Sequence, residues 1–514
     1  MHPRDYYIAT GDARRQGRVR NAFVSFPKKF RKGREIVNRS TAALISLVAL
    51  LACGGENTNN SSTGGQGGVS GTGGATAAIG GCTSAECGPS TDDFFDNGKV
   101  AAMKFTFDAE TLKSYTDVDH PKGYAPDEWL DLLWSKWNNH CGPYEWIPAR
   151  MEYVSPDGNG DVVLEKVAVR LRGSKSRGTN PLAGFKVDFT KSLPAGSNRR
   201  FAGLSRFNAL SNEALKVGHS HSKMTQSLSY KLIRDFGVEA PMCNQIQVFV
   251  NDELYGMVEN VERGKDARFL KHHFGTSDGA LYSASATCGF ADSLADLQYY
   301  GDTFAVDKYT KAYDILKGTA LDAEANLIPM LKCGDETQTP DNEAFKACIS
   351  EWIDVEQWLR LIAGESLMPT VEDFVGAKRN YYLYFQPDAA APHGGVMRVW
   401  GWDYDTSMQL QACLPKNCDP FTGVAGWYAG GKRAKLVTRL TTVFKEQYCS
   451  LMNEFLTNVY DPTQVDDMAA VLEPFMMNDP VVSYDDWQSE VVRAREFMIQ
   501  HETEVQAVID QACN

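Results

Sequence analysis

Apolar and polar residues alternate from Val100 to Asp108 (VAAMKFTFD), the period-two pattern of a strand with one buried face. Alternation and runs of β-branched and aromatic residues predict further strands over Tyr144 to Val154, Val162 to Arg172, Phe185 to Phe189, Gln245 to Val250 and Tyr255 to Val261. The last two flank Asn251-Asp252-Glu253 and read as a hairpin. Ahead of them, Ser220 to Phe236 has helical spacing and stops at Gly237, a C-cap residue. The Trp-rich stretch APDEWLDLLWSKW predicts a short helix or helical insert. Later the pattern turns helical over Trp352 to Met368, Lys432 to Val459 and Tyr484 to Cys513, interrupted by a second hairpin, NYYLYF and VMRVWGWDYD. The pattern predicts an α+β fold: a mainly antiparallel sheet with one helix against it, then a more helical part. A cleft between two such lobes is a favoured place for a ligand.

The N-terminal segment has a different character. Ala42 to Ala52 is an apolar run of 11 residues, too short to span a bilayer and suited to a signal-peptide core. It ends in Leu50-Leu51-Ala52-Cys53-Gly54, which resembles the bacterial lipobox, with Cys53 as the lipidated thiol. Residues 1–53 are therefore read as leader and lipoprotein signal peptide, and a start at Val37 would make that signal compact. Gly54 carries no Asp-type retention signal, so a cell-envelope location with outer-membrane sorting is expected. Residues 54–91 are mostly Gly, Ser, Thr and Asn and lack the apolar bulk to order themselves, which makes them a tether. Residues 92–514 hold enough aromatic and aliphatic side chains for a sizeable core.

Charge and cysteine content narrow the function classes. Residues 1–40 carry 11 Lys/Arg against 3 Asp/Glu, so their removal takes the net charge from −13 to about −21. Nonspecific nucleic-acid binding is excluded on that balance. The 12 cysteines fall partly in close pairs, Cys82/Cys87, Cys333/Cys348 and Cys413/Cys418, without a zinc-ligand spacing. Disulfides in an oxidising compartment are the expectation, with one cysteine left over once Cys53 is lipidated.

Four segments, in order, carry a resemblance. They are Val169-Arg170-Leu171-Arg172-Gly173-Ser174-Lys175-Ser176-Arg177 with Phe185-Lys186-Val187-Asp188-Phe189; Val248 to Gly256 running into Val261-Glu262; Glu372-Asp373-Phe374 with Arg379-Asn380-Tyr381-Tyr382-Leu383-Tyr384; and Gly401-Trp402-Asp403-Tyr404-Asp405. Together they resemble the CotH kinase family, the spore-coat protein H-like atypical protein kinases, over about residues 100–410; the later tail matches loosely. The resemblance implies an atypical protein-kinase-like fold with a sheet-rich N-terminal lobe and a more helical C-terminal lobe. It implies ATP with Mg²⁺ or Mn²⁺, and transfer to Ser or Thr of a secreted or surface protein. The alternative on the same fold is a non-catalytic surface adhesion or binding module.

Phosphoryl transfer needs a group to orient the acceptor hydroxyl, oxygen ligands for the metal and cations around the phosphates. Asp373, Asn380 and Asp403 follow the order of a kinase-like catalytic Asp, a metal-binding Asn and a metal-binding Asp. Taken singly, Asp373 also reads as a helix-terminal cap and Asn380 as a strand-start turn residue. Asp403 and Asp405, two apart in an expected strand, would share a face and chelate one cation. Arg172, Lys186 and Glu262 would organise the nucleotide phosphates, although a Lys/Glu pair is also a common surface ion pair. Where the family has a Lys-Lys-Ser-Tyr-Arg-like run, this chain has Leu182-Ala183-Gly184-Phe185-Lys186, leaving Lys186 or Lys175 to meet the phosphates.

Other features fit bland roles. Asp157-Gly158-Asn159-Gly160-Asp161 lacks the Gly and terminal Glu of a calcium loop and reads as a hairpin turn. His219 and His221 read as capping or surface residues, and GxSxG and HExxH motifs are absent.

Overall fold

The structure, a computed structural model, describes residues 86–108, 146–158, 161–171, 184–210, 223–284, 295–370, 373–408, 420–421 and 433–513, all within the unit Thr76–Asn514. Cys53, Arg172, Lys175, both predicted histidines, the Trp-rich stretch and Cys82, Cys413 and Cys418 lie outside the described residues.

The first half is built on strands β1 (Ala101–Thr106), β2 (Ile147–Val154), β3 (Val162–Leu171), β4 (Phe185–Asp188), β5 (Arg206–Leu210), β6 (Cys243–Val250) and β7 (Glu253–Val261). They form a closed barrel in the order β1-β2-β3-β4-β5-β7-β6. Closure is made by β1 running parallel to β6, with Ala101 opposite Ile246 and Phe105 opposite Val250. The mainly antiparallel sheet expected from sequence is present, and one long-range parallel pair seals its edges into a barrel. Inward positions supply one apolar cluster that includes Met103, Phe105, Met151, Leu164, Val169, Phe185, Val187, Phe207, Ile246 and Val248. Each such side chain contributes about 1.5–3 kcal/mol on burial, so a charge at Val187 would break the barrel from inside.

Two turns match their sequence signals. Asn251 and Asp252 both take positive φ, 48° and 66°, as a tight β6–β7 hairpin requires. β2 and β3 pair antiparallel, and between them Asp161 accepts the Ser155 N–H at 2.8 Å, in keeping with the hairpin read from sequence.

Helix α1 (Thr225–Asp235) packs on the outer face of β6. The second half centres on a four-stranded antiparallel sheet of β8 (Ala280–Ala284), β9 (Asp314–Lys317), β10 (Tyr381–Pro387) and β11 (Gly395–Gly401), ordered β9-β8-β10-β11. One face places Leu281, Tyr382, Tyr384 and Trp400 against α2 (Ala267–Phe274). The other turns Tyr282, Tyr381, Leu383, Met397 and Val399 into the main core, shared with α3 (Val355–Leu367) and the C-terminal helices. These are α4 (Lys435–Val443), α5 (Lys445–Asn458), α6 (Thr463–Met476) and α7 (Tyr484–Cys513). The single helix expected over Lys432 to Val459 is two, broken at Phe444 (φ −103°, ψ 37°). The β-branched run Thr441-Thr442-Val443 lowers helix propensity just ahead of the break. The fold is α+β, sheet-rich first and helix-rich afterwards.

Cys333 and Cys348 are bonded, as their spacing suggests, and Cys87 is disulfide-bonded too. A second described bridge, Cys449–Cys513, joins α5 to the end of α7 across 64 residues of sequence. Cys243 is buried and reduced.

Candidate functional site

The β10–β11 hairpin sets the geometry of the two residues expected to hold metal. Tyr381 pairs with Gly401 at its open end, and the Trp402 N–H donates to the Asn380 carbonyl at 2.8 Å, one step beyond the ladder. Asn380 and Asp403 therefore emerge at the same end of one hairpin. Both have left-handed backbone, φ 55° and 68°, a conformation that Asn and Asp adopt more readily than most residues. The expected strand through Asp403 and Asp405 is not there: β11 stops at Gly401, and both acids lie in the turn that follows. The positive φ of Asp403 breaks the alternation, so a shared strand face does not relate the two.

Asp373 is buried ahead of the same hairpin. Its Oδ1 accepts the Gly376 and Ala377 N–H groups at 2.6 and 2.7 Å, and its carbonyl accepts the Arg379 N–H. Among the described residues no helix starts or ends there, so the helix-cap alternative gives way to a turn over residues 374–377 held by the Asp373 side chain. Burial pushes its carboxyl up to about 6, against the lowering effect of the Ala377 and Gly376 amides and the Arg433 charge. Beside it on α3 stands Glu365, whose carboxylate accepts the Phe374 and Val375 N–H groups at 3.0 and 3.2 Å and the Tyr404 hydroxyl at 2.8 Å. Burial and the Asp373 charge hold Glu365 well above the usual carboxylate range.

Helix α1 ties this region to the barrel. Near its start, Gln226 and Ser227 donate to the buried Glu259 of β7, at 3.0 and 3.4 Å. Next to them Lys223 donates to the Met257 carbonyl at 3.1 Å. Burial pushes Glu259 up to about 7 and Lys223 down to about 8. One turn along α1, Tyr230 Oη accepts the Asp403 N–H at 2.9 Å, and Ser229 Oγ lies 2.6 Å from Ser407 Oγ.

On the barrel, Lys186 stands opposite Arg170 on β3 and Asn208 on β5, so the three share the outer face, and Phe185 and Val187 point inward. Asp188 and Arg206 form an ion pair on the same face. Burial together with the Arg263 and Arg206 charges lowers the Arg170 pKa, the mark of crowded cations. Glu262, just past β7, bonds the Met242 N–H at 3.2 Å and the His273 ring at 3.1 Å. It lines a cavity of about 1190 Å³ with Arg200, Arg206, Arg263, Arg268 and Lys271.

The structure thus gathers Asn380 and Asp403 directly, links Asp373 to them through Arg379 and Glu365, and puts Lys186 and Glu262 on the barrel side. Sequence reasoning missed Glu365, Tyr404, Tyr230, Glu259 and Arg170. For Arg170 the signal was its place two residues before Arg172; the others sit in ordinary apolar patterns. Among the described residues, no group of three His, Cys, Asp or Glu side chains is placed to hold a metal ion. The oxygen-donor set of Asn380 and Asp403 still suits Mg²⁺, which takes one or two carboxylates and completes its shell with water and phosphate.

Comparison with known proteins gives three results. No curated protein matches the sequence. A Helicobacter pylori proinflammatory kinase, CtkA, aligns over 60% of this chain and 89% of its own at 8% identity, with a TM-score of 0.25. The profile of the CotH kinase protein family matches residues 169–505, reaching from β3 well into α7 and so over most of the tail that resembles the family loosely. With more than half of its length inside that match, the chain belongs to the CotH kinase family.

Proposed function

We propose that this kinase-like chain is an exported phosphotransferase that moves phosphate from ATP to Ser or Thr of secreted or surface proteins, tethered to the cell envelope through a lipid on Cys53. The observation that carries the reading is the emergence of Asn380 and Asp403 from one hairpin end with left-handed backbone, bonded through Tyr230 to the helix that also holds Glu259.

Asn380 and Asp403, with Asp405 in the same turn, would hold Mg²⁺ or Mn²⁺. The metal would bridge the phosphates and neutralise charge during transfer. Asp373, with Oδ1 fixed by two amides, would receive the acceptor hydroxyl on Oδ2. Lys186 and Arg170 would face the phosphates from the barrel, Arg172 would contribute a further cation, and Glu262 would order the adjoining basic residues.

The test incubates the chain with labelled ATP, Mg²⁺ or Mn²⁺ and envelope proteins, beside Asp403→Ala. Transfer by the wild type alone supports the reading; binding of neither nucleotide nor metal leaves the non-catalytic adhesion module. Fatty-acid labelling that persists in Cys53→Ala would refute the anchor.

A further inference from the structure

Glu365 joins the two acid-bearing segments of the site. It lies two residues from the end of α3 and is 1% exposed. Its Oε2 takes amides from Phe374 and Val375, the residues after Asp373, and its Oε1 takes the hydroxyl of Tyr404, the residue after Asp403. One carboxylate therefore touches the immediate neighbours of both acids. Gly401 leaves the space for this bridge, since a Cβ there would collide with Tyr404 Oη and Glu365 Oε1.

A buried carboxylate is a costly way to fill space. Removing it from water costs several kcal/mol unless donors compensate, and an apolar side chain of similar volume would avoid that cost. Directional bonds offer what apolar packing does not, a fixed distance and angle between the loops they join.

We propose that Glu365 is a positioning residue, a staple that sets the Asp373 loop against the Asp403 turn at the spacing phosphoryl transfer requires. The catalytic half of this inference rests on the kinase reading; the structural half stands apart from it. Transfer needs the hydroxyl-orienting acid and the metal-holding acid at a fixed separation, and a misplacement of about 1 Å costs on the order of a hundredfold in rate.

The test uses the full chain and three variants, Glu365→Gln, Glu365→Leu and Tyr404→Phe, read by amide hydrogen exchange at single-residue resolution, by ATP-Mg²⁺ titration and by turnover. Glutamine keeps an oxygen for the two amides and a donor for the tyrosine. Glu365→Gln is expected to hold Phe374 and Val375 in slow exchange, with turnover within about threefold of wild type. Glu365→Leu should speed exchange at those two amides about tenfold or more and lower kcat about a hundredfold in folded protein. Tyr404→Phe should release only the other arm, leaving Phe374 and Val375 protected while residues 403–407 exchange faster and ATP-Mg²⁺ binding weakens. Unchanged exchange at Phe374 and Val375 in Glu365→Leu overturns the proposal, as does a Glu365→Gln variant damaged as severely as the leucine one. Should Glu365→Leu not fold, Tyr404→Phe decides: unaltered exchange over residues 403–407 rejects the staple. A wild type without transfer activity rejects the kinase reading alone, because the exchange pattern still decides the staple.

Discussion

The hydroxyl of Tyr230 accepts the backbone N–H of Asp403 at 2.9 Å, and the Tyr230 and Tyr404 rings pack with centroids 5.0 Å apart. Helix α1 thereby holds the backbone of Asp403 at its left-handed φ of 68°. Tyr230→Phe keeps the ring and removes the acceptor. It should weaken Mg²⁺-dependent ATP binding about three- to tenfold, the effect of one buried hydrogen bond, while Mg²⁺-independent contacts stay unchanged. Calorimetric titration with and without Mg²⁺ checks this.

Asp403→Asn and Asp373→Asn should both abolish transfer and fail in different ways. Asp403 is proposed as a metal ligand, so its loss should weaken metal-dependent nucleotide binding as well as turnover. Asp373 meets only the acceptor hydroxyl in the proposed mechanism. Its loss should leave ATP-Mg²⁺ binding nearly intact while kcat falls, the signature of an interaction made in the transition state. Retained binding in Asp403→Asn with lost binding in Asp373→Asn would reverse the two roles.

The pH dependence follows from the burial of Asp373. Its carboxyl is pushed up to about 6, and the form that accepts a proton from the hydroxyl is the ionised one. Turnover should therefore be full above about pH 7 and fall as pH drops through 6, approaching a tenfold loss per pH unit below that. A pH–rate profile for transfer measures this limb directly. A midpoint near the ordinary Asp value of 3.8 would show that the proposed base is not this buried group.

Long periodic elements were legible in the sequence, and the links between them were not. The strands from Ala101 to Leu171, the hairpin at Asn251-Asp252 and helices α1, α3 and α7 lie where alternation and helical spacing put them. Barrel closure rests on β1 pairing with β6 across more than a hundred residues, and local pattern carries no trace of such a contact. Strands β5, β8 and β9, of four or five residues each, give periodicity little length to register, whereas the equally short β4 sits in the clean alternation Phe185-Lys186-Val187-Asp188-Phe189. Helix α6 escaped because Pro474 interrupts its later turns and the strands' punctuation rules favour a break there. At the site, Asn380 and Asp403 flank the hairpin that the pattern predicts, but the pattern puts Asp403 on a strand. The sequence WGWDYD alternates through the acid, and only the backbone shows the reversal of φ that ends β11. Glu365 and Glu259 were invisible for a different reason. A glutamate inside an apolar helix or strand reads as a solvent-facing residue, and its burial depends on donors that arrive from distant segments.

The last prediction concerns what holds α3, and with it Glu365, in place. Helix α7 runs 30 residues and returns to the core shared with α3, where His501 is buried and burial lowers its pKa to about 4. Its far end is fastened to α5 by Cys449–Cys513. That bridge closes a loop of 64 residues, and the chain-entropy relation gives it about 4 kcal/mol, against about 3 for the 15-residue loop of Cys333–Cys348. Cys513→Ser should accordingly lower the unfolding free energy more than Cys348→Ser, by on the order of 1 kcal/mol. It should also loosen α7 locally, so that amides near His501 and Leu367 exchange faster while the barrel strands keep their protection. Denaturant titrations of both variants under oxidising conditions, with exchange measured on the folded protein, check both halves. Equal destabilisation by the two variants, with barrel and α7 amides affected alike, would mean that the C-terminal bridge constrains only the unfolded chain and gives α3 no specific support.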